Sequence, residues 1–440
     1  MKNGHPPGWK VVPLRELAEI NPRHPKGLDD SMSVSFAPMA ALSESNPKFQ
    51  FLEERPLGRV RKGFTHFAEG DVLFAKITPC MENGKGAVAT GLRNGLGCGT
   101  TELHVLRPLG GIDPHYLYRF LAQASVRLRA KEHFTSTAGQ ARVPTKFVEE
   151  LEVLLPPVSE QRRIVAKLEK LLAKVDVCQQ RLAKIPALIK RFRQSVLAAS
   201  CSGRLTADWR EEQSGVANKQ PVPIADADLS EIPDSWRWVK LPKTGEMNRG
   251  RSRHRPRNEP KLFDGPYPFI QTGDIAQSGG RITSHKQTYS EAGLAQSRLW
   301  PAGTISITIA ANIAESALLT YPTCFPDSVV GIIANPGVCI AEYVEYFIRV
   351  AKADLATFAP ATAQKNINIA ILNEVSVPLP PLAEQQEIVR RVEALFALAD
   401  QIEARCTRAK AHADLLTQSI LAKAFRGQLI RTEVPLAENG

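Results

Sequence analysis

Two stretches of the chain repeat an apolar or small position at steps that alternate between four and three. The first runs through Ile164, Leu168, Leu171, Val175, Cys178, Leu182, Ile185, Ile189, Phe192 and Val196. The second runs through Ile388, Val392, Leu395, Ala399, Ile402, Cys406, Ala409, Ala413, Leu416 and Ile420. A strict heptad predicts two long α-helices, each with one apolar seam. Pro156 and Pro157 stand before the first helix, and Pro380 and Pro381 before the second. Proline biases the residue ahead of it away from helix, so the starts are set there. Ser159 is placed as the first N-cap, with Glu160 and Gln161 suiting the first turn. Gly203 and Gly427 fall where C-terminal caps belong. At about 1.5 Å per residue each helix spans roughly 50 Å. Pro186 predicts a kink in the first. The first seam is bulky at Val175, Ile185 and Ile189, where the second has Ala399, Ala409 and Ala413. Large against small packs well, so each helix is expected to pair with the other. The pattern does not fix their direction.

The two helical segments are copies of one another. Residues 156–206 align with residues 380–430 without a gap, and 18 of the 51 pairs are identical. Each copy follows a segment of about 150 residues, the size of one ordinary domain. These segments open alike, PPGWKVVPL around Trp9 and IPDSWRWVKL around Trp236, but otherwise diverge. The predicted organisation is therefore a variable domain at 1–155, a helix at 156–206 and a linker at 207–232. A second variable domain at 233–379, a second helix at 380–430 and a tail at 431–440 complete it. The shared helices imply a common task, and the divergent domains two different ones.

Charge points to the partner. Lys and Arg number 56 against 45 Asp and Glu, a net charge of +11, which favours a polyanion such as nucleic acid. Nine basic residues crowd residues 237–261, where only Glu246 and Glu259 oppose them. Their centre, RGRSRHRPRNEP, reads as a loop, and Arg249, Arg251 and Arg253 are candidates for phosphates or guanine edges. A second candidate loop, 76–85, follows an expected strand and offers Lys76, Thr78, Asn83 and Lys85. Gln140 and Arg142 complete the candidates of the first half. Asn312 and the stretch holding Gln364, Lys365 and Asn366 complete those of the second, since Asn and Gln suit adenine. The first helix carries six basic residues and no acid between Val177 and Ala207, a face for DNA, for an acidic partner or for solvent.

Other chemistry is missing from the pattern. No run of 18 apolar residues suggests a membrane span, and MKNGHPPGWK lacks the apolar core of a signal peptide. Seven scattered cysteines without a CxxC argue for buried thiols in a reducing cytoplasm. No P-loop, zinc spacing or NPPY-type methyltransferase tetrapeptide occurs. The GLGCGT stretch at 95–100 resembles a cofactor loop, but ELHVL after it reads as a strand rather than the helix such a loop needs. No catalytic, metal or cofactor site is expected: the chain binds.

The motifs LLPP-x-x-EQ-x-x-IV and PLPP-x-x-EQ-x-x-IV, with the endings QSVL and QSIL followed by G-x-L, resemble the specificity subunit of Type I restriction-modification enzymes. So do GTISITIAANIAESAL from Gly303, CFPDSVVGI from Cys324 and TTELHVLRP from Thr100. The resemblance covers nearly the whole chain. It implies two α/β (α+β) target recognition domains, each reading one half of a split, asymmetric DNA site. It implies that the two helices pair as an antiparallel coiled-coil spacer with the domains at opposite ends. Partners implied are double-stranded DNA, two modification subunits that carry S-adenosylmethionine and methylate adenine at N6, and two restriction subunits. Two alternatives stay open: a DNA-binding coiled-coil scaffold without a modification partner, and a fused methyltransferase-nuclease, for which the motifs are lacking.

Overall fold

The computed structural model describes residues 6–44, 46–137, 140–214, 232–254, 256–310, 313–357 and 367–430. The chain divides into two compact units, Met1–Ala183 with Thr407–Gly440, and Lys184–Cys406. Among the described residues no helix is long and apolar enough to cross a membrane.

In the first unit the strands are β1 (Lys10–Pro13), β2 (Ala18–Ile20), β3 (Ser33–Ala37), β4 (Glu53–Pro56), β5 (Thr65–Ala68), β6 (Val72–Ala75), β7 (Gly86–Val88), β8 (Leu96–Gly99), β9 (Leu103–Pro108), β10 (Thr135–Thr137), β11 (Gln140–Arg142) and β12 (Glu152–Leu155). One sheet has the order β2-β9-β6-β7, antiparallel throughout. A second has the order β4-β3-β8-β5, in which β3 and β8 run parallel. The hairpin β10-β11 and the pair β1-β12 complete the set. Val72, Leu73, Phe74 and Ala75 of β6 are all buried, as a strand covered on both faces requires. Strand β8 occupies most of GLGCGT and pairs on both sides, so that stretch is sheet and not a phosphate loop.

In the second unit the strands are β13 (Arg237–Lys240), β14 (Gly245–Arg249), β15 (Phe263–Phe269), β16 (Arg281–Ile282), β17 (Gln287–Tyr289), β18 (Leu299–Trp300), β19 (Ile305–Thr308), β20 (Ser316–Leu319), β21 (Thr323–Cys324), β22 (Val329–Ala334) and β23 (Ser376–Leu379). The sheets are β14-β22-β19-β20-β16 and β17-β15-β21-β18, with β15 parallel to β21. Apart from the added edge strand β16, order and connectivity repeat those of the first unit: β2, β9, β6 and β7 match β14, β22, β19 and β20. The pair β13-β23 matches β1-β12. Two segments with little sequence in common thus share one α/β topology.

The first long helix spans Val158–Cys201 and the second Leu382–Phe425. The first begins at Val158, before the expected cap Ser159. The Pro157 carbonyl takes both the Glu160 and Gln161 amides at 2.9 Å, so the proline's own oxygen serves the first turn. The helix does not end at Pro186. Gly203 and Gly427 both adopt positive φ, 78° and 71°. A Cβ would also strike a proline there, Pro233 at 2.4 Å and Pro6 at 2.2 Å, so only glycine fits both turns. In the expected linker, Ala207–Ser214 are helical and residues 215–231 lie outside the described residues, as does the tail 431–440.

Each unit holds a piece of both helices, running antiparallel. In the first unit Val175 of the first helix joins one apolar cluster with Ala413, Ile420 and Phe425 of the second. Gln179 Nε2 donates to Asp414 Oδ1 at 2.7 Å. In the second unit Val196 clusters with Ile388 and Val392, and Arg193 donates to Asp400 at 2.6 Å and Glu403 at 3.2 Å. Of the seam, Ile164, Leu168, Val175, Ile189, Ile388, Val392 and Ile420 are buried, and Leu171, Leu182 and Leu395 half-buried. Ile402 and Leu416 are exposed. Cys178 is exposed too, and Cys80 and Cys406 are half-buried, so three of the seven thiols are not core residues.

One device mounts each helix on its domain. Gln161, fully buried, donates from Nε2 to the Gly111 and Pro156 carbonyls at 2.8 Å and accepts the Asp113 amide at 2.7 Å. Gln385 repeats this with Val338, Pro380 and the Ile340 amide. Beside them, Tyr116 donates to the Leu154 carbonyl and Tyr343 to that of Pro378. Apolar clusters run from domain to helix around these contacts. Helix and domain in each unit are therefore one packed body.

Candidate nucleic-acid interface

Strands β2 and β6 flank β9 and run the same way, so their ends meet at one edge of the first sheet. Ile20 lies opposite Leu106, and Ala75 opposite Leu103. The chain leaves β2 through Asn21, at φ 53°, a conformation that asparagine tolerates. Its amide donates to the Val105 carbonyl at 2.7 Å, and its side-chain oxygen accepts the Val105 amide at 3.0 Å. Pro22 and Arg23 follow, with Arg23 exposed.

Histidines fix this turn. The His24 amide donates to His66 Nδ1 at 3.1 Å, and His66 Nε2 donates to the Arg61 carbonyl at 2.8 Å. His24 Nε2 donates to the Gly97 carbonyl at 2.9 Å, and the two rings stack at 4.5 Å. Burial, with His66 next to it, pulls His24 down to about 4. Burial also pulls His104 to about 4, while its Nε2 donates to the Val143 carbonyl. These rings are neutral at pH 7, so they position the turn without adding charge.

Lys76 leaves β6 at the same edge. Its amide donates to the Glu102 carbonyl at 3.0 Å, and its carbonyl accepts the Val143 amide at 2.9 Å. Thr78 continues with its amide on the Ala141 carbonyl at 3.1 Å, so the loop lies along β11. Met81, fully buried, anchors the loop. Asn83 is exposed and donates to Glu44 at 3.0 Å, and Lys85 is half-buried. Gln140 stands in β11 opposite Thr137. Arg142 grips Glu102 through two parallel bonds of 2.9 and 3.0 Å, and these hold the Glu102 carboxyl below its usual range. The structure therefore brings Lys76, Thr78, Gln140 and Arg142 together. Asn83 and Lys85 lie further along the same loop.

The second unit repeats the edge. Strand β14 ends at Arg249 opposite Val330, and β19 at Thr308 opposite Val329. Gly250 passes so close to the Pro326 carbonyl that a Cβ would sit 2.3 Å from it. Arg251 and Arg253 then stand exposed on the loop. Asp327 ties neighbours down: its carbonyl accepts from Arg249 and its carboxylate takes Arg257 at 2.8 and 3.0 Å. The His254 amide donates to Gln296 at 3.1 Å, and its ring meets Glu259. Asn312, Gln364, Lys365 and Asn366 lie outside the described residues.

The shared topology reveals what the sequence reading passed over. The loop after β2 in the first unit takes the place of the arginine loop after β14 in the second. Arg23-His24-Pro25 and Arg253-His254-Arg255-Pro256 share an Arg-His pair, and in both the histidine amide donates to a side chain at or just before the matching strand, β5 or β18. Arg23 was absent from the candidates because one Arg-His pair is too short a signal without the strands that frame it.

Comparisons with known proteins agree with this arrangement. The family described as Type I restriction modification DNA specificity domain matches residues 6–187 and 233–409. The Type I restriction enzyme EcoEI specificity subunit of Escherichia coli is 26% identical over 499 residues, covering 94% of this chain and 83% of that protein. The crystal structure of the HsdS subunit from Thermoanaerobacter tengcongensis has a TM-score of 0.65 at 22% identity, covering 96% of this chain and 98% of that one. A chain solved in work on complex assembly and conformational transition of the type I R-M system has a TM-score of 0.74 at 21% identity, covering 96% and 99%. Two matched segments, each ending within one of the duplicated helices, fit the internal repeat, and the chain belongs to the family of Type I restriction-modification DNA specificity subunits.

Proposed function

We propose that this chain reads a bipartite, asymmetric DNA site, one half with each domain, as a non-catalytic subunit. The observation that carries the reading is the repeated sheet edge. Two domains of one topology present different basic side chains at the same edge of the sheet, Arg23 and Lys76 in one and Arg251 and Arg253 in the other. One scaffold with two sets of side chains suits two different half-sites.

The paired helices set the gap between half-sites and dock the modification subunits, which supply S-adenosylmethionine and transfer methyl to adenine N6. Restriction subunits complete the assembly. Exposed apolar side chains on the helices support docking: Val177, Leu415 and Leu416 in the first unit, and Leu188, Leu398 and Ile402 in the second. The domain boundaries at 155, 206, 232, 379 and 430 belong to the same proposal, as does a cytoplasmic setting. The test is to map methylated adenines in cells that make this chain with a modification subunit. A split motif supports the reading, and a contiguous one overturns it.

A further inference from the structure

We propose that Arg23 and Lys76 together clamp one phosphodiester of the DNA backbone in a cleft of the first unit. This rests on the DNA-reading function above. The cleft has a volume of about 320 Å³ and lies between the turn after β2, the Gly63–Thr65 approach to β5 and the end of β6. Its lining includes Arg23, Lys76, Thr65, His66 and Thr101, and none of the residues lining it is acidic. Glu102, which follows Thr101, is held by Arg142.

Neither Arg23 nor Lys76 has a hydrogen-bond or ion-pair partner for its side chain among the described residues. Other cations of this unit are held by carboxylates, Arg107 by Asp71 at 2.9 Å and Lys131 by Glu82 at 2.9 Å, whereas these two face a cleft. Arg142 first, and Lys76 after it, draw the Glu102 carboxyl down, but that carboxylate is bonded to Arg142, so two cations without a bonded partner line a cleft free of carboxylates, a setting that suits an anion. The floor is unsuited to reading base edges. Asn21 is spent on Val105 and His104, Thr65 donates to the Thr100 carbonyl at 3.0 Å, and both nitrogens of His66 are bonded. What remains is positive charge with fixed position, which suits a phosphate. The topological match with Arg253, exposed on the charged loop of the second unit, places Arg23 at the corresponding end of its own sheet.

The experiment uses the full chain and a 40-base-pair duplex of mixed sequence, with affinity followed by fluorescence anisotropy from low to high salt. Losing one phosphate contact lowers the slope of log K against log salt by about 0.9, about an eightfold loss at 0.1 M relative to 1 M. Arg23→Gln and Lys76→Gln are each expected to show that loss, Lys76→Arg to restore it, and Lys10→Gln, on exposed β1, to leave the slope unchanged. Thermal melts of the variants matching the parent's exclude unfolding as the cause. Slopes equal to the parent's for both glutamine variants overturn the clamp while leaving DNA binding intact. A changed base preference for Arg23→Gln, in a selection from random duplexes, also overturns it in favour of base reading. No salt-dependent binding by the parent chain overturns the clamp and the DNA-reading function together.

Discussion

Replacing Gln161 with methionine tests whether the buried glutamines mount the helices. Methionine keeps the length of the side chain and removes its polar atoms. Three hydrogen bonds of 2.7 to 2.8 Å are lost, to Gly111, Pro156 and Asp113, at a fully buried position. A typical bond contributes about 1 kcal/mol net, and a buried amide left without a partner costs about 1–3 kcal/mol. Three bonds and one buried group left unpaired together make the loss about 4–6 kcal/mol. At about 2–4 °C per kcal/mol for a body of this size, Tm falls by about 8–24 °C. Calorimetry on the full chain reads the shift, and Gln385→Met, with the same pattern of bonds, should behave alike. A shift below about 2 °C for both variants would refute the reasoning, because it would mean that these bonds form equally well to water when the side chain is gone.

Arg251→Ala should change methylation at one half-site of the recognised sequence and leave the other as it was, read by methylation kinetics on substrates altered in one half at a time. Unchanged kinetics at both halves would remove Arg251 from the interface. Stability of the second unit should also depend on Glu345. Burial raises this carboxyl to about 8, against the opposing pull of Arg349, and Ser316 donates to it at 3.1 Å. The folded form holds the proton more tightly than the unfolded chain, so the contribution of this group is fully present below about 4.5 and is lost as pH rises from there through about 8. Denaturant unfolding across that window should show the slope in the parent and a flatter profile in Glu345→Gln, and equal profiles would contradict the assignment.

Much of the architecture is legible in the sequence, because the helices rest on local rules. The heptad, the prolines at each start and the glycines at each end locate both helices to within a few residues. The offset between the copies announces the duplication directly. The start at Val158 rather than Ser159 depends on the Pro157 carbonyl, whose use is visible only once the chain is folded. Glu160 and Gln161 read as first-turn polar residues by type, yet Gln161 is a buried clasp, because two of its partners, the Gly111 carbonyl and the Asp113 amide, lie some fifty residues away in the chain. The seam shows a similar limit. Periodicity names Ile402 and Leu416 with the same force as Ile388, but their burial depends on what faces them.

The site is less legible than the fold. Charge density alone identifies the arginine loop of the second domain, whereas the corresponding turn of the first domain holds only Arg23 and Lys26 and carries no such mark. It becomes recognisable through sheet order, since β2 and β14 share a place that their sequences do not reveal. Arg142 illustrates the reverse case. Its type suits guanine, but the bidentate bond to Glu102 already occupies its planar fork, so its charge is partly spent before DNA arrives.

The most direct measurement is a genome-wide map of methylated adenines in a methylation-free host that makes this chain together with a modification subunit from the same genome. The account predicts one split motif, with a modified adenine in each half on opposite strands and a fixed, unspecified gap. Methylation of a contiguous motif, or a host that stays unmethylated although the two proteins purify as a complex, would contradict it.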